Sequence, residues 1–264
     1  MFGWYKKYDY IFWIAMLCVL GIDGILLYYG FLTESLFALV PIAFGWVMFN
    51  HLRQKCLKND AEMYAFQNNC QIDEYLKRIK KIYDRENRYE LKFMAAYDLS
   101  AGYFFKGEFE QAQDLINMYV PEQPMSDNQA RLKAFFHADL AGIYLYTGEQ
   151  EKVAAEVKKI RDMFGLYPMS QVARNSASLA YFDATCYELM AKGEYSEAAK
   201  MLIHSMPTHT SMLSKVSTKY DLAICYINMG ETDKAKELLE FVAANGGDTF
   251  YVAEAKKQLE EISK

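Results

Sequence analysis

The sequence is poor in the residues that hold small or metal-bound proteins together. It has five cysteines and four histidines among 264 residues. No Cys-x-x-Cys pair occurs, and no two histidines have the His-Glu-x-x-His spacing of a helical zinc site. We therefore expect no disulfide framework and no bound metal, and interpret the cysteines as reduced thiols. The cysteines are Cys18, Cys56, Cys70, Cys186 and Cys225.

The motifs that mark common active sites are also missing. Neither a Gly-x-Ser-x-Gly nucleophile elbow nor a Gly-x-Gly-x-x-Gly nucleotide loop occurs. Gly102 and Gly107 have the outer spacing of a phosphate loop, but Glu108 and Phe109 stand where that loop needs lysine and a hydroxyl residue. We predict a protein that is not an enzyme, with no catalytic residues and no cofactor.

Excess positive charge is absent from most of the chain. The first 58 residues carry five basic and three acidic side chains, and residues 59–264 carry 24 basic and 31 acidic ones. Proteins that bind nucleic acid neutralise phosphates with a basic surface, which an acidic segment lacks. We therefore expect no nucleic-acid partner.

Charge of either sign is scarce between Ile11 and Phe49, where Asp23 and Glu34 are the only ionised side chains. A single helix of that length would extend about 58 Å, against a hydrocarbon core of about 30 Å. We predict a transmembrane hairpin within residues 1–58, with spans at about 10–29 and 32–50. The alternative is a buried helical hairpin of a soluble protein.

Basic residues flank both predicted spans and are missing from the turn between them. Lys6 and Lys7 precede the first span, and Arg53, Lys55 and Lys58 follow the second. Because basic flanks stay on the cytoplasmic side, both ends of the chain should face the cytoplasm. The prediction is an integral membrane protein, in the plasma membrane, whose C-terminal part is cytosolic and whose basic collar contacts the lipid bilayer.

The rest of the chain repeats one helical-hairpin pattern around glycine. The glycines lie 41, 45 and 37 residues apart, and each is preceded at eight positions and followed at nine by a residue suited to helix packing, aliphatic in all cases but Thr185. A weaker copy has Cys70 at the turn position. The predicted turn anchors are Cys70, Gly107, Gly148, Gly193 and Gly230.

This pattern resembles the tetratricopeptide repeat, a helix-turn-helix unit of 34 residues. The resemblance implies an all-α fold, with a helical solenoid over residues 59–264. Since every spacing exceeds 34, the helices or their connections should be longer than in that family. Phe250 to Ile262 has the pattern of an amphipathic helix that caps the solenoid, and Asn245 to Asp248 that of a helix stop followed by a cap.

In stacks of this family the first helices line a concave groove. Counting back ten, six, three and two residues from each glycine selects side chains that are mostly aromatic, with scattered polar ones. Such a groove suits an apolar or extended peptide. The candidate partner-binding residues are Tyr97, Phe104, Phe105, Leu145, Tyr146, Asp183, Tyr187, Met190, Tyr220, Ile227 and Asn228.

These features together favour a membrane-anchored adaptor or scaffold whose repeat domain binds a protein or peptide. The aromatic groove also suits a peptide-sensing regulatory protein. A further alternative is an accessory subunit of a membrane transport or assembly complex, in which the intramembrane carboxylate of Asp23 takes part.

Overall fold

A computed structural model describes residues 28–29, 61–120 and 126–263. The chain divides into two compact units at residue 61, and the second, residues 62–264, is described below. The predicted transmembrane spans and Asp23 lie outside the described residues. None of the helices in the described part of the chain combines the length and apolar character needed to cross a bilayer.

Helices joined by turns make up the described residues of the second unit, which contain no strand, and this confirms the all-α prediction. Residues 61–69 are helical and precede ten further helices, with a short 3₁₀ turn at Met206–Thr208. In chain order these are α1 (Ile72–Arg85), α2 (Tyr89–Lys106), α3 (Phe109–Tyr119), α4 (Asp127–Tyr146), α5 (Gln150–Leu166), α6 (Gln171–Ala191), α7 (Tyr195–Ser205), α8 (Met212–Asn228), α9 (Thr232–Asn245) and α10 (Phe250–Ile262).

The four glycines end helices α2, α4, α6 and α8 in the same way. Each has a left-handed backbone, with φ between 76° and 84°. Each glycine N–H donates to the carbonyl three residues earlier, and the N–H of the following glutamate donates to the carbonyl five residues earlier. This is the Schellman ending, in which glycine avoids the steric cost that a Cβ would carry. The next helix begins at once, so every glycine forms a tight hairpin.

Serine begins three of the first helices of these hairpins. The side chains of Ser126, Ser170 and Ser211 accept hydrogen bonds from backbone N–H groups in the first turns of α4, α6 and α8. Such caps satisfy donors that a helix start otherwise leaves unpaired. The longest of these first helices are α4, with 20 residues, and α6, with 21.

The turn before α1 contacts the loop between α9 and α10. Cys70, between residues 61–69 and α1, has a left-handed φ of 53°, and its carbonyl accepts a hydrogen bond from the Asp248 N–H. The Asp248 carboxylate accepts hydrogen bonds from the N–H groups of Ile72 (2.6 Å) and Asp73 (2.9 Å). Asp248 therefore caps α1, whereas the sequence pattern placed its cap on the following helix. Thr249 is the residue before α10.

Helix α10 completes the apolar interior. One apolar cluster joins α1 to α8, α9 and α10, and includes Ile72, Val216, Leu239 and Tyr251. A second cluster is built from residues of the five consecutive helices α2, α3, α4, α5 and α6. Phe250 packs against Phe104, Phe109 and Tyr146. The C-terminal helix thus packs along α9, and the rings at its start reach first helices of the hairpins.

Candidate functional site

Each first helix of the four hairpins carries an aspartate at nearly the same height. Asp98, Asp139 and Asp221 lie nine residues before their glycines, and Asp183 lies ten before its own. Equivalent positions on stacked hairpins face the same side of the stack. The aspartates are thus a repeated feature of the stack.

Three of these aspartates line one cavity of about 110 Å³. A single water needs only about 10–15 Å³, so several small groups would fit. The backbone of α6 packs closely against α4 but hardly approaches α8, and the cavity is bounded by residues of all three helices. The remaining walls come from α2, α7, α10 and His209. The cavity lining includes Phe104, Phe105, Phe135, Asp139, Asp183, Tyr187, Ser205, His209, Thr218, Asp221 and Tyr251.

Asp139 has the most unfavourable surroundings of the cavity carboxyls. Burial and the neighbouring Asp183 raise its pKa to about 8. Its Oδ2 atom is buried and accepts no hydrogen bond from any described residue. Carboxyl groups are seldom left in this state, because desolvation without a partner is costly. Asp139 therefore supplies an unused acceptor to the cavity.

Asp221 and Asp183 differ in their contact with solvent. Asp221 is buried and accepts a hydrogen bond of 2.5 Å from the Tyr146 hydroxyl. Burial nevertheless raises the pKa of Asp221 to about 7, with the Tyr146 bond opposing the shift and Asp183 adding to it. Asp183 is the most exposed of the three side chains, although desolvation by the cavity walls still raises the pKa of its carboxyl. Asp183 thus forms the wetter side of the cavity.

Asp98 provides an internal comparison. Burial raises its pKa to about 6, while a hydrogen bond from Tyr75 and the charges of Arg131 and Arg78 oppose that shift. The causes of the shifts at Asp139, Asp183 and Asp221 include no basic residue. Within the described part of the chain, the three cavity carboxyls therefore lack the nearby arginines that Asp98 has.

A small hydroxyl and imidazole network borders the cavity. His209 Nε2 lies 3.2 Å from Ser205 Oγ and 3.1 Å from Thr218 Oγ1. Burial, together with Lys215, lowers the pKa of His209, which favours the neutral ring. Ser205 Oγ already donates to the Leu202 carbonyl, so its proton is not directed at the imidazole. A serine is activated as a nucleophile when its hydroxyl donates to the histidine that acts as base. The hydroxyl of Ser205 does not do so, and the arrangement instead suits polar packing.

The structure brings together only some of the residues predicted for the groove. Phe104, Phe105, Asp183 and Tyr187 line the cavity. Met190 and Tyr220 are buried between helices, and Tyr146 packs on the aromatic rings of α10. Tyr97 and Leu145 pack against the second apolar cluster, Ile227 packs against the first, and Asn228 is exposed and donates to the Ile224 carbonyl.

Several cavity residues lay outside that prediction, namely Asp139, Asp221, His209 and Tyr251. The aspartates had a visible signal in their shared spacing from the turn glycines, one position away from the one used to select groove residues. Tyr251 had none, because its place depends on how α10 docks onto helices far away in the sequence.

The described residues contain no group of three or more His, Cys, Asp or Glu side chains placed to hold a metal ion. No protein-family model matches the chain, and no curated protein matches it either. The interpretation of the cavity therefore depends on its own geometry and charge.

Proposed function

We propose that this chain is a membrane-anchored adaptor whose helical-repeat domain, similar to tetratricopeptide repeats, binds a protein or peptide partner. The observation that carries the proposal is the stack of glycine-ended hairpins around an acidic cavity whose most exposed carboxyl group is that of Asp183. Helical repeats of this kind present concave surfaces to partners.

The membrane part of the proposal depends on the sequence of residues 1–58. Their two apolar stretches and basic flanks support two spans with both ends in the cytoplasm. An anchor would hold the repeat domain close to membrane-bound partners and so raise their effective concentration without any new contact.

The cavity mouth gives a sharper test than the whole predicted groove, because Tyr146 and Tyr220 support packing. Asp183→Lys reverses the charge at an accessible position, and Asp114→Lys makes the same change on the exposed face of α3. Crosslinked pull-downs from membranes should recover partners with the wild type and with Asp114→Lys, and lose them with Asp183→Lys. Identical partner lists for all three would contradict binding at this cavity.

A topology experiment tests the anchor separately. Reporter fusions at residue 31 and at the C-terminus should lie on opposite sides of the membrane, with the C-terminal fusion in the cytoplasm. A C-terminus accessible from outside would contradict the proposed orientation.

A further inference from the structure

We propose that the cavity binds the ammonium group of a primary amine, carried by a lysine side chain of the partner or by a free aliphatic polyamine. This inference deepens the proposed adaptor function, because it assigns a chemical group to the partner, and it rests on that function for its biological role. The binding chemistry itself can be tested without any knowledge of the partner.

Buried polar atoms without a hydrogen-bond partner are the first observation in its support. Asp139 Oδ2 is buried without a hydrogen bond among the described residues. The Tyr251 side chain is fully buried and its hydroxyl makes no hydrogen bond of normal geometry, although Tyr146 lies beside it. Buried polar groups are usually satisfied, so two orphans lining one cavity indicate a missing partner. An N–H donor would satisfy Asp139, and Tyr251 could accept from the same group.

Carboxyl groups without a basic partner are the second observation. No ion pair joins Asp139, Asp183 or Asp221 to a basic side chain within residues 61–120 and 126–263. Carboxyl groups that lie close together repel one another when ionised, and a nearby cation removes that penalty. Asp98, beside Arg131 and Arg78, shows how the same fold compensates a buried carboxyl that needs no ligand.

The walls of the cavity add an attraction for cations. Phe104, Phe105, Phe135 and Tyr187 line it together with the carboxyls. Aromatic faces attract ammonium and guanidinium groups through their quadrupole, more strongly where water is excluded. A combination of carboxylates and aromatic rings is therefore better suited to an organic cation than to a neutral polar group.

Size and symmetry select an ammonium group at the end of a chain. At about 110 Å³ the cavity is smaller than the roughly 300–1,000 Å³ of typical small-molecule pockets. An ammonium group is compact and has three donors that can point in three directions, whereas guanidinium is a planar fork. The three carboxyls come from three different helices, α4, α6 and α8, which matches divergent donors.

The test compares a charged probe with a neutral probe of the same shape. The full 264-residue chain, purified in detergent, is titrated with n-butylammonium and with butan-1-ol at pH 8.5, and binding is followed by calorimetry and by the shift in Tm. Butylammonium should bind and raise Tm, and butan-1-ol should not. Equal effects of the two probes, or no effect of butylammonium, would overturn the proposal.

Variants locate the site. Asp139→Asn and Asp183→Asn should each weaken butylammonium binding by about tenfold or more, because each removes a charge from a shielded pair. Asp114→Asn, an exposed aspartate on α3, should bind like the wild type. Equal affinity in all three would place the probe elsewhere. If Asp139→Asn does not fold, Asp183→Asn and the comparison of probes still decide.

Two further probes separate the sources of the ammonium group. An N-acetylated, C-amidated Gly-Lys-Gly tripeptide represents a lysine of the partner, with its ε-acetylated form as control, and spermidine represents a free polyamine. Preference for either supports the ammonium site and identifies its source. If Asp183→Lys loses its partners but no ammonium probe binds the wild type, the ammonium site is overturned and the adaptor function is kept. If the ammonium probes bind but the partners are unchanged in Asp183→Lys, the ammonium site is kept and the adaptor function is contradicted.

Discussion

Two of the turn glycines have the same backbone and different surroundings, which makes a matched pair of substitutions. Gly107 has φ 83° and Gly148 has φ 84°. A Cβ added at Gly107 would lie 2.7 Å from the Cβ of Phe250, while one added at Gly148 would meet no heavy atom within 4 Å. Gly148→Ala therefore measures the backbone cost alone, and Gly107→Ala measures that cost plus a collision with α10.

The structure gives the size of both effects. An alanine in the left-handed region costs about 1–2 kcal/mol. Phe250 Cβ is fixed to the backbone of α10, so it cannot move aside as the end of a flexible side chain could, and the helix itself must shift. Overpacking of this kind costs about 1–3 kcal/mol. We expect Gly148→Ala to lose about 1–2 kcal/mol and Gly107→Ala about 2–5 kcal/mol.

Equilibrium urea unfolding of the full chain, followed by far-ultraviolet circular dichroism, measures the two losses. For a unit of this size each kcal/mol also lowers Tm by about 2–4 °C. Gly193→Ala is a useful third variant, because its nearest atom lies 4.0 Å from the added Cβ, and it should behave like Gly148→Ala. Equal losses at Gly107 and Gly148 would refute the docking of α10 against the first glycine turn.

Two further predictions concern charge. Because the pKa of Asp139 is raised, the folded state keeps a proton that the unfolded chain releases above about pH 4. The free energy of unfolding of the wild type should therefore fall between pH 5 and pH 8. At about 1.36 kcal/mol per pH unit, this group contributes a loss of up to about 4 kcal/mol. Asp183 and the tyrosines Tyr97, Tyr187 and Tyr251 face the same interior. In urea unfolding, the stability of Asp139→Asn should depend clearly less on pH than that of the wild type or of the control Asp114→Asn. An equal dependence on pH in all three would contradict the assignment to Asp139. Asp248→Ala should lower stability by about 1–2 kcal/mol above pH 4. Despite burial, the hydrogen bonds from the N–H groups of Ile72 and Asp73 hold the pKa of the Asp248 carboxyl below its usual range. The loss should therefore shrink as the pH falls below the pKa of a free aspartate. Asp114→Ala is its control, and a cost that does not depend on pH would contradict the cap.

The hairpin turns could be predicted from the sequence because their cause is local. A glycine followed by glutamate ends each first helix, and the left-handed conformation is one that glycine adopts without penalty. A glycine alone does not mark every such turn, because Cys70 takes a left-handed conformation where the turn before α1 contacts the loop between α9 and α10. The all-helical fold followed from the same local signals.

The cap on α1 could not be predicted, because Asp248 lies 176 residues from Ile72. The count used to select groove residues had a similar limit. It selected Asp183 but missed Asp139 and Asp221, which lie one position later relative to their glycines. Burial of Met190 and Tyr220 likewise depends on the packing angles between helices, which the spacing of apolar residues does not specify.

Helix α10 changes what the interior can bind. The sequence suggested an aromatic groove for an apolar or extended peptide, but Phe250 and Tyr251 already pack against Tyr146 and Tyr220. Apolar surface that the protein covers itself gives a partner little to gain by binding there. Among the residues that the structure describes, the carboxyls of the cavity have no basic partner, so these carboxyls are what the interior still offers to a ligand. A partner would therefore be selected by a single inserted cationic group, and its hydrophobic side chains would have to bind elsewhere.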